Sequence, residues 1–136
     1  MSADPILQTV AQTLQARPEV LLAWVYGSFA SEKQTSQSDL DIAIAGSRLF
    51  TPEERVALAA DLARVARREV DLVDLRAERG VISSQVLTRG RLLFAKDRGL
   101  LAFLIKRMWF DRADFWPYRD RILEARRKRA FGGNAS

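Results

Sequence analysis

Histidine and cysteine are both absent from the 136 residues of this chain. The lack of cysteine excludes a disulfide framework, a thiol nucleophile and a thiolate metal site. The lack of histidine removes the commonest general base and the commonest transition-metal ligand. Chemistry is left to carboxylate, hydroxyl, amine and guanidinium groups. No apolar run comes near the roughly 18 residues needed to span a bilayer, and no basic, apolar, small-residue leader stands at the N-terminus. The expectation is a soluble, cytoplasmic protein with no membrane partner. With 48% of its residues hydrophobic, a chain of this length suits one compact domain over residues 1–136.

Acidic residues are scarce where basic ones crowd. From residue 101 onward nine basic residues (Lys106, Arg107, Arg112, Arg119, Arg121, Arg126, Arg127, Lys128, Arg129) stand against four acidic ones (Asp111, Asp114, Asp120, Glu124), and this surplus of five equals the formal net charge of the whole protein. A basic helical segment over about 97–130 suits an acidic protein face, nucleic acid or an anionic surface. The solvated face of a helix is the commoner case. Residues 131–136 read as a tail.

Hydrophobic periodicity lays out alternating elements with short joints. Asp4 and Pro5 read as a cap and a first helical position, and Ile6, Leu7, Val10, Ala11 and Leu14 make a stripe, predicting a helix over 5–16. Residues 20–26 form a nearly continuous apolar run bounded by proline and glycine, as in a strand covered on both faces. A loop or helical turn over 28–34 and a strand over 40–45 follow. Thr51, Pro52, Glu53 and Glu54 supply a cap, a first-turn proline and a capping-box glutamate for a helix through Ala66 to about Arg68. Residues 69–75, EVDLVDL, alternate as a strand does, with Val70 and Leu72 on one face and Asp71 and Val73 on the other. A short helix over 81–87, a strand over 91–95 and a long helix over 100–130, interrupted near Pro117, complete the chain. The interleaving predicts a small α/β (α+β) sandwich with helices against a mixed sheet.

Two carboxylates stand inside an apolar strand in VYGSFASEKQTSQSDLDIAI, residues 25–44. Residues two apart on a strand project from one face, so Asp39 and Asp41 point the same way. Like charges this close repel, and one is driven toward its protonated form unless a cation lies between them. A turn cap or an exposed strand end accounts for an isolated D-x-D as readily. The neighbours favour the cation. Gly27 and Ser28 follow a buried strand, where a glycine lets the backbone approach a phosphate while N–H groups and the hydroxyl donate to it. Asp71, from another predicted strand, is a third candidate for the cluster. Oxygen-only ligation selects a hard ion such as Mg²⁺ or Mn²⁺, bound together with nucleotide phosphates.

The run GSFASEKQTSQSDLDIAI resembles the signature of the DNA polymerase beta-like nucleotidyltransferases: Gly-Ser, ten residues, then Asp-x-Asp. VDLVDL over 70–75 resembles the strand that carries their third acidic residue. Length, element order and the basic C-terminal segment resemble the minimal nucleotidyltransferases (MNT), antitoxins commonly encoded beside a HEPN-domain toxin. The resemblance implies a nucleotidyltransferase fold with ATP over the acidic strands. It further implies AMP transfer from ATP to a tyrosine hydroxyl of a cognate HEPN ribonuclease toxin, within a hetero-oligomer. By position, Gly27 and Ser28, with Ser38, would bind the nucleotide, Asp39 and Asp41 would ligate two Mg²⁺ ions, and Asp71 would hold the catalytic ion and take the proton.

One departure stands out. The family's arginine and glycine after Gly-Ser-x-Ala are Ser31 and Glu32 here, which removes a cation beside the triphosphate and leaves Lys33 as the candidate replacement. Asp74 lies on the opposite face from Asp71 and reads as a strand-end or salt-bridging residue. Trp24 reads as core. Trp109, Phe110, Phe115, Trp116 and Tyr118 read as packing against the partner, with direct nucleic-acid binding the less favoured role. A small-molecule, aminoglycoside-type transferase would need an acceptor-holding domain for which this length leaves little room. A non-catalytic antitoxin finds its support in Ser31 and Glu32.

Overall fold

Each face of the central sheet is dictated by alternate residues of strands that are apolar on both sides. The computed structural model describes residues 3–30 and 38–112. Its elements are α1 (Ala3–Gln15), β1 (Leu22–Tyr26), a 3-10 turn (Gly27–Phe29), β2 (Leu40–Ala45), α2 (Pro52–Ala66), β3 (Val70–Asp74), α3 (Val81–Arg89) and β4 (Arg91–Ala95). A further helix, α4, follows over residues 98–112. The sheet runs β3-β2-β1-β4. β1 pairs antiparallel with β2 and β4, while β2 and β3 run parallel, so the sheet is mixed. The parallel pair needs a crossover, and α2 supplies it.

One face of the sheet, with Ala23, Val25, Ile42, Ile44, Val70 and Leu72, packs under α1 and α2. The other, with Leu22, Trp24, Tyr26, Ala43, Ala45 and Val73, is covered by α3 and α4 through Val86, Leu100 and Leu104. Trp24 is core, as expected, at 3% exposure. The capping box at the start of α2 is formed: Glu54 N donates to Thr51 Oγ1 at 3.1 Å, and Thr51 N donates to Glu54 Oε1 at 2.8 Å. Arg48 adds two bonds of 2.9 Å to the same carboxylate. This donation, with that from the Thr51 amide, draws the Glu54 pKa down to about 2.

One local reading needs correction, and another resolves to one of its two alternatives. α1 begins at Ala3, so Asp4 lies inside the helix instead of capping it. Pro5 is accommodated because first-turn N–H groups have no intrahelical partner to lose. Asp74 does end β3, but its carboxylate, 2% exposed, accepts from the Phe50 amide at 2.8 Å and the Arg76 amide at 3.0 Å. Among the described residues it forms no salt bridge.

α4 buries Leu100, Leu104 and Met108, spaced one helical turn apart, and leaves Phe103, Ile105, Trp109 and Phe110 exposed. Arg107 fixes it to the loop after β3 by donating to the carbonyls of Leu75 (2.6 Å), Glu78 (2.9 Å) and Arg76 (3.0 Å). An Arg79–Asp111 ion pair adds to this attachment. The remainder of the expected long helix, with Phe115, Trp116, Pro117, Tyr118 and the tail, lies outside the described residues. Among the described residues no helix is long and apolar enough to cross a membrane.

Candidate active site

Strand register brings the acidic residues to one end of one face. Tyr26 pairs with Asp41 across β1 and β2, and Asp41 pairs with Asp71 across β2 and β3. The three form a row across adjacent strands, on the face that holds Trp24 and Val73, with strands about 4.8 Å apart. Asp39 precedes β2 by one residue, exposed, and shares the parity of Asp41. Asp71 is exposed and Asp41 partly buried.

The turn that follows β1 leaves from this same end. Gly27 adopts φ +73, and a Cβ there would collide with the Asp41 carboxylate. Only glycine lets the backbone lie against that side chain in this conformation. The Ala30 amide donates to the Gly27 carbonyl at 3.1 Å, closing the turn, with Ser28 at its centre. Ser38 stands immediately before Asp39, and its carbonyl accepts from Arg68. Lys33, Ser31 and Glu32 lie outside the described residues.

The electrostatics are those of crowded negative charge. Burial raises the Asp41 pKa, and the charges of Asp71 and Asp39 raise it further. Tyr26 is pushed up to about 12 by burial, then by Asp41, Asp71 and Glu78. Among the described residues none of Asp39, Asp41 and Asp71 takes part in an ion pair. Like charges repel, and among the described residues no three acidic side chains close on a single point. The donor set is all oxygen, it makes no ion pair among the described residues, and a glycine gives way beside Asp41, the more buried of these carboxylates. Those properties fit a hard divalent cation carrying phosphate.

Two shallow depressions lie elsewhere, on the α1 and α2 side, lined by Pro5, Ile6 and Arg67 and by Pro52, Val56 and Leu72. Neither contains a carboxylate, so neither offers the chemistry of the acidic end. Sequence reasoning missed Tyr26, Glu78 and Arg68. Tyr26 was within reach: it has the parity of Leu22 and Trp24 and directly precedes Gly27. Glu78 and Arg68 carry no local signal, because only the fold brings them near.

Comparison with known proteins agrees with this fold. The model of the family described as Polymerase beta, Nucleotidyltransferase matches residues 8–99. Protein adenylyltransferase MntA of Shewanella oneidensis is 34% identical over 89 residues, 65% of this chain and 64% of that protein. The match thus spans slightly less than two thirds of the relative's length. A solved toxin–antitoxin with AMP-PNP superposes with a TM-score of 0.71 at 27% identity, over 86% of this chain and 98% of the other. An MNT antitoxin in complex with a tri-AMPylated Shewanella oneidensis HEPN toxin gives a TM-score of 0.68 at 25% identity, over 90% of this chain and 99% of that one. The matched segment takes in the Gly27–Ser28 turn, Asp39, Asp41 and Asp71, and the chain belongs to the Polymerase beta nucleotidyltransferase family.

Proposed function

We propose that this protein is a cytoplasmic, Mg²⁺-dependent protein adenylyltransferase. In this reading it transfers AMP from ATP to a tyrosine hydroxyl of a cognate HEPN toxin and so neutralises it. The observation that carries the reading is the register of Tyr26, Asp41 and Asp71 beside the positive-φ Gly27.

Gly27 and Ser28 hold the β and γ phosphates through backbone N–H groups and the hydroxyl, and Ser38 lies at the edge of the nucleotide site. Asp39 and Asp41 would hold two Mg²⁺ ions, with Asp71 a further ligand to the catalytic one. When bound, these ions would neutralise phosphate charge and promote ionisation of the attacking hydroxyl. The acceptor oxygen forms a bond to the α phosphorus, the bond from that phosphorus to the bridging oxygen breaks, and pyrophosphate leaves. The hydroxyl proton passes to Asp71. Tyr26 shows why positive charge is needed: burial and the neighbouring carboxylates hold its phenol protonated, with the pKa pushed up to about 12. A protonated phenol is a poor nucleophile.

The partner's landing surface is the exposed side of α4, where Phe103, Ile105, Trp109 and Phe110 stand. Exposed aromatics on a helix suit a protein interface, and solved relatives occur as toxin–antitoxin complexes. The test is to incubate the full chain with Mg²⁺, ATP and its co-encoded HEPN neighbour and to weigh the neighbour by mass spectrometry. AMP-sized increments on a tyrosine, lost in Asp39→Asn/Asp41→Asn, are the expected result. Neutralisation that persists undiminished in that double variant, with no added mass, would show an antitoxin that works by binding alone.

A further inference from the structure

Arg68 touches both ends of the segment that separates the Gly27–Ser28 turn from the acidic strand. Its guanidinium carbon lies 4.9 Å from the centroid of the Phe29 ring. Its Nη1 donates to the Ser38 carbonyl at 3.3 Å. Phe29 ends the turn that begins at Gly27 and is 1% exposed, a buried anchor for that turn. Ser38 directly precedes Asp39.

The fold puts Arg68 there by a short chain of causes. Arg67 closes α2 in the left-handed region, at φ 55. The Arg68 amide then donates back to the Ala63 carbonyl at 3.4 Å, and the Glu69 carbonyl accepts from the Leu40 amide at 2.9 Å. Arg68 is therefore fixed between a helix end and the first bond of the β2–β3 pair. A planar guanidinium presents its face to a ring and its edge N–H groups to a carbonyl at once, which an ammonium does not.

We propose that Arg68 is a positioning residue for nucleotide binding: it ties the Gly27–Ser28 turn to the start of the acidic strand, so that the phosphate donors and carboxylates meet one triphosphate. The tolerance is small, because the Gly27 backbone already lies against the Asp41 carboxylate. Arg68 acts through Phe29 and Ser38. The inference rests on the nucleotide site proposed above.

The experiment measures the affinity of the full chain for Mg²⁺ and AMP-PNP by calorimetry, alongside melting temperature, for wild type, Arg68→Ala, Arg68→Lys and Arg68→Ala with added guanidinium. Loss of a charge-assisted hydrogen bond and a cation–π contact predicts a dissociation constant about tenfold weaker in Arg68→Ala, recovered in part by guanidinium at low millimolar concentration. Arg68→Lys, keeping charge but not the planar fork, should bind more weakly than wild type while melting close to it. Unchanged affinity in Arg68→Ala overturns the inference. So does weakened affinity that only follows the unfolded fraction and does not respond to guanidinium. If wild type itself binds no nucleotide, the underlying site fails instead, a result separable from either of these.

Discussion

At the residue scale, Asp41 carries the conflict that defines the acidic end. Its pKa is raised by burial and by Asp71 and Asp39. A carboxylate whose folded pKa lies above its unfolded value costs stability once ionised. The cost is absent below the unfolded pKa, near 3.9, and grows as pH rises through the folded one. Asp41→Asn should therefore be more stable than wild type at pH 7 without divalent metal, the advantage vanishing below about pH 4; urea denaturation across pH measures it. Added Mg²⁺ should raise the wild-type melting temperature and leave the variant's unmoved. Gly27→Ala tests the same contact from the backbone side. A side chain at φ +73 beside Asp41 should cost about 1–2 kcal/mol in denaturant titration, with AMP transfer falling more than tenfold.

At the scale of elements, α2 is the crossover that sets β2 beside β3 and so Asp41 beside Asp71. Its start is held by the Thr51–Glu54 capping box. Thr51→Ala should cost about 1 kcal/mol and lower the melting temperature by roughly 3–5 °C, while transfer per folded molecule stays unchanged. Scanning calorimetry and a transfer assay at low temperature check both halves. The elements also show what a sequence discloses. The strand over 40–45, the start of α2 and the alternation in VDLVDL were legible, because each depends on residues within one turn or one pleat of each other. The opposition of Asp41 and Asp71 was not. Parallel register depends on the length of α2 and on the Leu40–Glu69 hydrogen bond, a contact between distant residues. Asp74 was half legible: its face followed from parity, but its amide partner on Phe50 came from a loop 24 positions away.

For the whole molecule, the proposed function assigns chemistry to one end of the sheet and partner binding to α4. Helix α4 buries Leu100, Leu104 and Met108 and leaves Phe103, Ile105, Trp109 and Phe110 exposed, and the sequence alone did not distinguish its core residues from those left exposed. Phe103→Glu/Phe110→Glu should weaken binding to the proposed HEPN partner more than tenfold in surface plasmon resonance, because two exposed aromatics would be replaced by charges in a desolvated contact. The melting temperature of the isolated chain should stay within about 2 °C of wild type, since exposed positions contribute little to its own core.

The most direct measurement is paramagnetic broadening of amide NMR signals by Mn²⁺ with AMP-PNP on the full chain. The account predicts that the signals of Gly27, Asp41, Ile42, Asp71 and Leu72 vanish first, while those of Thr9, Val56 and Ala59 on the helical side persist. Broadening centred on the helical side, or spread evenly over the chain, would contradict it.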